Sequence, residues 1–185
     1  MTELPHRLEA DARLDRGRPI LERVAGAVPA ATRPWLRGEP LGHPAHPMLT
    51  DLPIGFWTTA SVLDVIGGRR CAGAATAMVG LGVATVLPTA AAGVLDWTEL
   101  GRGKQRVGVV HAVANLAATG IYAASLAHRL RGRRGRGVLT ALAGMGVATL
   151  GGLLGGHLAF GQGTDTAADA GSDERAPQHP LSFVG

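Results

Sequence analysis

The sequence predicts an all-α integral membrane protein, a four-helix bundle built from two repeated helical hairpins. Three observations lead there. First, residues 71–95 carry no charge, residues 107–127 carry none apart from His111, and residues 137–164 carry none apart from His157. A hydrocarbon core needs about 20 consecutive apolar residues, so each stretch is long enough to cross. Second, polarity is segregated. Hydrophobic residues make up 46% of the chain, yet mean hydropathy is only +0.17, because the ends are polar and the middle is not. Third, the chain resembles itself. With residue 51 laid on residue 115, the segments 51–85 and 115–149 align without a gap and share fourteen identities. Gly68-Arg69-Arg70 falls on Gly132-Arg133-Arg134, and Val83-Ala84-Thr85 on Val147-Ala148-Thr149. Two crossings return a chain to its starting side, so both hairpins insert the same way. That is a parallel repeat with a pseudo-twofold axis along the membrane normal.

The elements follow in order. Residues 1–40 mix Arg, Glu and Asp with Leu and Val, which reads either as short interfacial amphipathic helices or as a loosely ordered tail. Residues 41–163 form the four-helix transmembrane domain, with helices at about 48–67, 71–95, 107–127 and 137–160. The first is the weakest, since it carries Asp51 and Asp64. Asp64 is expected to pair with Arg69 or Arg70 in the following turn. Residues 164–185 are small, acidic and Pro-containing, and are expected to be disordered. No secretory signal is visible in the charged stretch 1–25, so insertion falls to the first spanning helix. The single cysteine, Cys71, excludes an intrachain disulfide and an all-protein iron–sulfur cluster of the usual ligand count. The arginines behind a pI near 10.5 read as topology and lipid-headgroup signals, not as nucleic-acid contacts.

Four crossings put most of the chemistry on one face, the side of the N-terminus. His43 and His46 precede the first helix, and Asp51 lies about one turn into it. Asp96 ends the second helix. His111 lies about one turn into the third, with Asn115, Thr119 and Tyr122 on the same stripe. His157 lies about one turn before the fourth ends. At 1.5 Å per residue, Asp51, His111 and His157 share a depth of roughly 6 Å. Proline after His43 and after His46 favours polyproline II geometry, in which residues i and i+3 share a face. Pro53 frees the Leu49 carbonyl and Pro88 frees that of Ala84, and both need partners inside the membrane.

Two function classes fit this cluster. In the first, the chain binds one b-type haem or a transition metal. His111 and His157 are then the leading ligands, His43 and His46 are further ligands, and Asp51, Asp96 and Asn115 support the imidazoles or carry protons. A redox partner protein follows from that reading. In the second, the chain is a non-catalytic scaffold with no cofactor, and the same histidines are interhelical hydrogen-bonding residues. Its glycine faces, Gly151/Gly155 and Gly152/Gly156, then pack helices or a second copy. A proton or small-solute carrier ranks third. In both leading classes the chain is a multi-pass protein of the cell membrane in contact with lipid. Arginine counts in the loops do not decide orientation, since including the N-terminal tail reverses the sign.

GHPAHPMLTDLPIGFW at 42–57, the GVLDW run, RVGVVHAVANL with YAASL after it, and the late GGHLAF resemble a bacterial family of four-helix membrane proteins known as domain of unknown function 2231. The resemblance covers about residues 40–163. It implies four membrane helices and no defined activity, so no catalytic residues transfer. A likeness in layout to two-haem b-type membrane cytochromes, and relatives that look fused to a Rieske-type domain, hint at electron transfer by analogy only.

Overall fold

A computed structural model of the chain describes residues 3–160. The expected disorder of 164–185 therefore concerns residues outside those described. The described chain is all helical, with no strand. Three short helices come first: α1 (Glu3–Ala10), α2 (Arg18–Ala27) and α3 (Arg33–Leu36), linked by 3₁₀ turns. Four long ones follow: α4 (His46–Val62), α5 (Ala72–Thr98), α6 (Arg102–Leu130) and α7 (Arg134–Phe160). Local chemistry sets several starts. Pro19, Pro34 and Pro47 each occupy a first-turn position, where a missing N–H costs nothing. Asp11 caps the turn at Ala12–Gly17 by accepting from the Arg13 N–H at 2.9 Å.

Three helices, α5, α6 and the α7 segment Arg134–Ala159, are long and apolar enough to cross a membrane. The expected fourth, α4, is 17 residues long before a π-helical turn at Leu63–Gly67 interrupts the α-helical pattern, and it carries Asp51. By length and composition the count is thus three, not four.

The long helices are apolar outside, and several polar side chains lie inside among small and apolar ones. Only 33%, 22% and 28% of the apolar windows of α5, α6 and α7 are buried, so most of each apolar surface faces outward. Leu87, Leu116, Leu139 and Leu150 are all more than 60% exposed. Asp64, Thr89, Gln105, Ser125 and Arg129 are buried instead. A water-soluble helix shows the opposite distribution, whereas lipid accepts this one.

α4 packs on α5 and α7, α5 on α6, and α6 on α7. Trp57 of α4 stacks on Tyr122 of α6, rings 3.9 Å apart and nearly parallel. Around that stack lie Ala60, Val79 and Ala141. Buried positions recur in a constant register. Pro53, Trp57, Ala60 and Asp64, on α4 and the turn after it, match Ala118, Tyr122, Ser125 and Arg129 on α6 in spacing. Ala75, Val79, Gly82, Thr89 and Ala92 on α5 match Gly137, Ala141, Gly144, Gly151 and Leu154 on α7 in the same way. The gapless alignment of 51–85 on 115–149 does not describe this packing. It lays buried Ala60 on exposed Ala124, and buried Gly82 on exposed Gly146.

The N-terminal segment is helical and docked. α1 and the following 3₁₀ turn lie against α6, while α2 and α3 lie against α5. Arg106 of α6 grips both oxygens of Asp15, at 2.9 and 3.0 Å, and its remaining nitrogen donates to the Glu9 carbonyl at 2.8 Å. Arg37 meets Glu99 at 2.9 Å. Arg106 holds the Asp15 carboxyl below its ordinary range, chiefly through those hydrogen bonds.

Candidate functional site

The histidines expected to converge are dispersed, each onto its own partner. His46 begins α4 and turns inward, where its Nδ1–H donates to the Thr89 carbonyl of α5 at 3.0 Å. A carbonyl only accepts, so the proton lies on Nδ1. Gly93, on the turn of α5 after Thr89, leaves room for the ring: a Cβ there would sit 2.6 Å from His46 Cε1. His43 does not share that face. It is exposed in the preceding loop and bonds only the Pro44 carbonyl, at 3.3 Å. The chain enters α4 at His46 itself, so the two imidazoles never sit on one polyproline turn.

His111 repeats the arrangement on the other helix pair. Its Nδ1–H donates to the Gly151 carbonyl of α7 at 2.9 Å, and Nε2 accepts from Asn115 Nδ2 at 2.9 Å. Gly155, on the turn after Gly151, supplies the space, since a Cβ there would meet His111 Cε1 at 2.9 Å. Both ring nitrogens of His111 are therefore engaged. His157 is held elsewhere. Its Nε2 meets Glu9 Oε1 of α1 at 2.9 Å, and its ring stands edge-on to that of His6 at 5.5 Å. The expected pairing of His111 with His157 does not form.

The acids expected to support these rings do not touch them. Among the described residues, neither Asp51 nor Asp96 makes a side-chain hydrogen bond; Asp51 is exposed and Asp96 partly buried. Of the three supporting residues expected, Asn115 alone binds a histidine. The carbonyl freed by Pro53 does find a partner, as Thr89 Oγ1 donates to Leu49 O at 3.0 Å while also reaching Thr85 O at 2.8 Å. Trp97 is buried in the core, and its Nε1–H donates to the Gln105 carbonyl at 2.9 Å across the α5–α6 turn.

At the opposite end lies an ion cluster of unexpected make-up. Asp64 pairs with neither Arg69 nor Arg70 but with Arg129 of α6 and Arg134 of α7. Arg129 binds both its oxygens, Nη1 to Oδ1 at 3.2 Å, and Arg134 Nη2 reaches Oδ1 at 3.0 Å and the Gly68 carbonyl at 3.0 Å. Arg129 Nε also donates to Ser125 Oγ at 3.2 Å, and that hydroxyl donates to Gly137 O at 2.6 Å. Gly68, at φ +54°, turns the chain so that its carbonyl meets Arg134. Trp57 Nε1 and Tyr122 Oη, beside the central stack, are buried with no hydrogen-bond partner among the described residues.

With Nδ1 of His111 on the Gly151 carbonyl, only Nε2 is left to ligate a haem iron, and it does so only by giving up its bond from Asn115. One constellation does bring ligand-type atoms together, and it lies partly outside the expected set. His6, Glu9 and His157 place one donor atom each within 4.8 Å of the others. His6 and Glu9 are three apart on α1 and so share a face; the H-R-L-E spacing was the signal in the sequence.

The family described as "Predicted membrane protein (DUF2231)" matches residues 42–168, well over half of the chain. The chain belongs to that family. This DUF2231 protein is a multi-pass membrane protein, as its three long apolar helices require. The match begins just before His43 and takes in α4 to α7, leaving α1 to α3 outside it. No curated protein and no solved structure matches the chain.

Proposed function

We propose that this DUF2231 protein is a non-catalytic membrane scaffold: a four-helix bundle made of two copies of one hairpin, with its internal polar groups used as interhelical ties. The single observation behind this reading is the state of those groups. His46, His111, Thr89, Asp64 and Arg129 are each spent on another helix of the same chain. Polar side chains at such depth tie helices together when they are paired internally.

Two further observations support the architecture. α4 with its π turn runs continuously from His46 to Gly67, a helical path of about 30 Å, enough for a fourth crossing. The burial registers of α4 on α6 and of α5 on α7 fit two equivalent hairpins, α4–α5 and α6–α7, whose connecting turns differ slightly in length. The motif of an imidazole on a carbonyl, with glycine on the next turn, then occurs once in each hairpin. Trp57 against Tyr122 and Asp64 against Arg129 are equivalent residues meeting across a pseudo-twofold axis.

As an assembly unit the bundle has a free small-residue face. Gly151 and Gly155 are consumed by Asn115 and His111, but a Cβ added at Gly152 or Gly156 meets nothing within 4 Å among the described residues. The test combines spectrum and stability. Detergent-purified protein is scanned with and without dithionite, beside His111→Ala. The scaffold reading expects no Soret band in either and a lower melting temperature in the variant. A Soret band in the native protein that His111→Ala abolishes would replace this reading with the haem one.

A further inference from the structure

We propose that His6, Glu9 and His157 form a binding site for a divalent first-row transition metal of zinc type, fastening the N-terminal helix to the end of the last helix. The site stands apart from the scaffold reading and uses none of the interhelical ties.

The donor set is two imidazoles and one carboxylate. That set suits zinc and its neighbours and is poor for magnesium or calcium, which prefer oxygen alone. The geometry is close to ligation already. Glu9 spans the two rings, with Oε1 at 2.9 Å from His157 Nε2 and Oε2 at 3.5 Å from His6 Nδ1. Donors around a tetrahedral zinc lie roughly 3.3 Å apart, given metal–ligand bonds of about 2.0–2.1 Å. The three donor atoms already lie within 4.8 Å of one another. On binding, the metal takes the place of the Nε2 proton that His157 directs at Glu9, and the neutral ring carries its proton on Nδ1.

Placement adds to the argument. Glu9 and His157 are held a quarter exposed, and His6 is 68% exposed. The exposed His6 ring leaves one side of the cluster open to water, the side from which a metal enters. The rest of α1 is already fixed against α6, since Arg106 holds the Glu9 carbonyl and Asp15. Glu9 is therefore preset, and only the exposed His6 ring has to be ordered. The metal joins the two ends of the described chain, where His157 and Glu9 now share one hydrogen bond.

The experiment uses the full-length chain without an affinity tag, purified in detergent and stripped with a chelator. Zinc is titrated by calorimetry, with magnesium as the control ion, and the metal-free melting temperature is recorded for each variant. One zinc per chain is expected, with no saturable magnesium binding. His6→Ala and Glu9→Gln should each weaken zinc at least about tenfold, since even outer-shell changes cost 10–100-fold. His6→Ala should leave the metal-free melting temperature unchanged, because that ring is on the surface. Cobalt should give visible ligand-field bands that His6→Ala removes. Zinc binding that is absent, or equally tight in His6→Ala and Glu9→Gln, overturns the proposal.

Discussion

Replacing Asp64 by alanine should be among the most damaging single changes in the bundle. The side chains of Asp64 and Arg129 are 2% and 1% exposed, so neither is solvated. Without the carboxylate, Arg129 keeps only its 3.2 Å bond to Ser125 Oγ, and a guanidinium remains buried with no anion. Removing one partner of a buried pair costs about 3–5 kcal/mol, because the survivor has already left water. Arg129→Met should cost less, since Asp64 keeps Arg134, whose side chain is 30% exposed and free to adjust. Replacing both by apolar residues should recover most of the loss, and such exchanges are often neutral or stabilising by ~1–4 kcal/mol. The assay is equilibrium unfolding in mixed micelles for wild type, Asp64→Ala, Arg129→Met and Asp64→Leu/Arg129→Met. The reasoning fails if Asp64→Ala lies within about 0.5 kcal/mol of wild type, the range of ordinary surface changes. It also fails if the double variant is no more stable than Asp64→Ala.

Three other outcomes follow from local geometry. Gly93→Ala and Gly155→Ala put a methyl at 2.6 and 2.9 Å from imidazole carbons, so each should lose ~1–3 kcal/mol of stability in the same assay, whereas Gly152→Ala should be silent. Thr89→Val strips the Leu49 carbonyl of its donor and should cost about 1–3 kcal/mol, with Thr89→Ser restoring it; equal stability of the two variants would discount that bond. The Asp15 carboxyl is held below its usual range, so its contribution is complete above about pH 4 and is lost as pH falls through the lowered folded value. Protection factors of the amides in residues 3–17, measured against the intrinsic exchange rate at each pH, should therefore fall in acid, and Asp15→Asn should lower them at pH 7.

The membrane character was open to reading because a run long enough to cross the hydrocarbon core rarely excludes charge unless lipid surrounds it. Three long apolar helices followed from the same pattern, and the carbonyl freed by Pro53 pointed to a partner that proved to be Thr89. Side-chain rotation was not open to reading. His111 and His157 lie on neighbouring helices at similar predicted depth, yet depth does not say which way a ring points. His111 turned to Gly151 because Gly155 left a gap. His157 turned to Glu9 because α1 came back to cover the bundle end, and nothing in the apolar pattern announces that return. His6 and Glu9 were missed for the same reason: a polar leader offers no periodicity that fixes its docking site. The assignment of Asp64 to Arg69 or Arg70 followed sequence distance, but the turn aims those arginines elsewhere and brings in Arg134.

The gapless alignment of 51–85 on 115–149 misled for a reason that bears on the proposed repeat itself. In a chain with 28 glycines and many alanines, identities gather wherever small residues fall in step. Packing follows helix faces instead. A slip of one position, as between α4 and α6, turns a helix by about 100°, and a slip of two, as between α5 and α7, by about 200°; either takes a buried position off the inner face. The register that preserves burial places Trp57 on Tyr122 and Asp64 on Arg129, pairs with no identity at all. Beside the proposed twofold axis, such divergence avoids a conflict for charged residues. Residues beside the axis meet their own equivalents, so two aspartates or two arginines there would bury like charges together, at a cost of several kcal/mol. Opposite charges remove that cost and fix which hairpin sits where. The connection from Asp64 to Ala75 is longer than that from Arg129 to Gly137, and the π turn at Leu63–Gly67 lies in the longer one. On the proposed repeat, Trp57 against Tyr122 and Asp64 against Arg129 are thus the places where the two halves differ and touch.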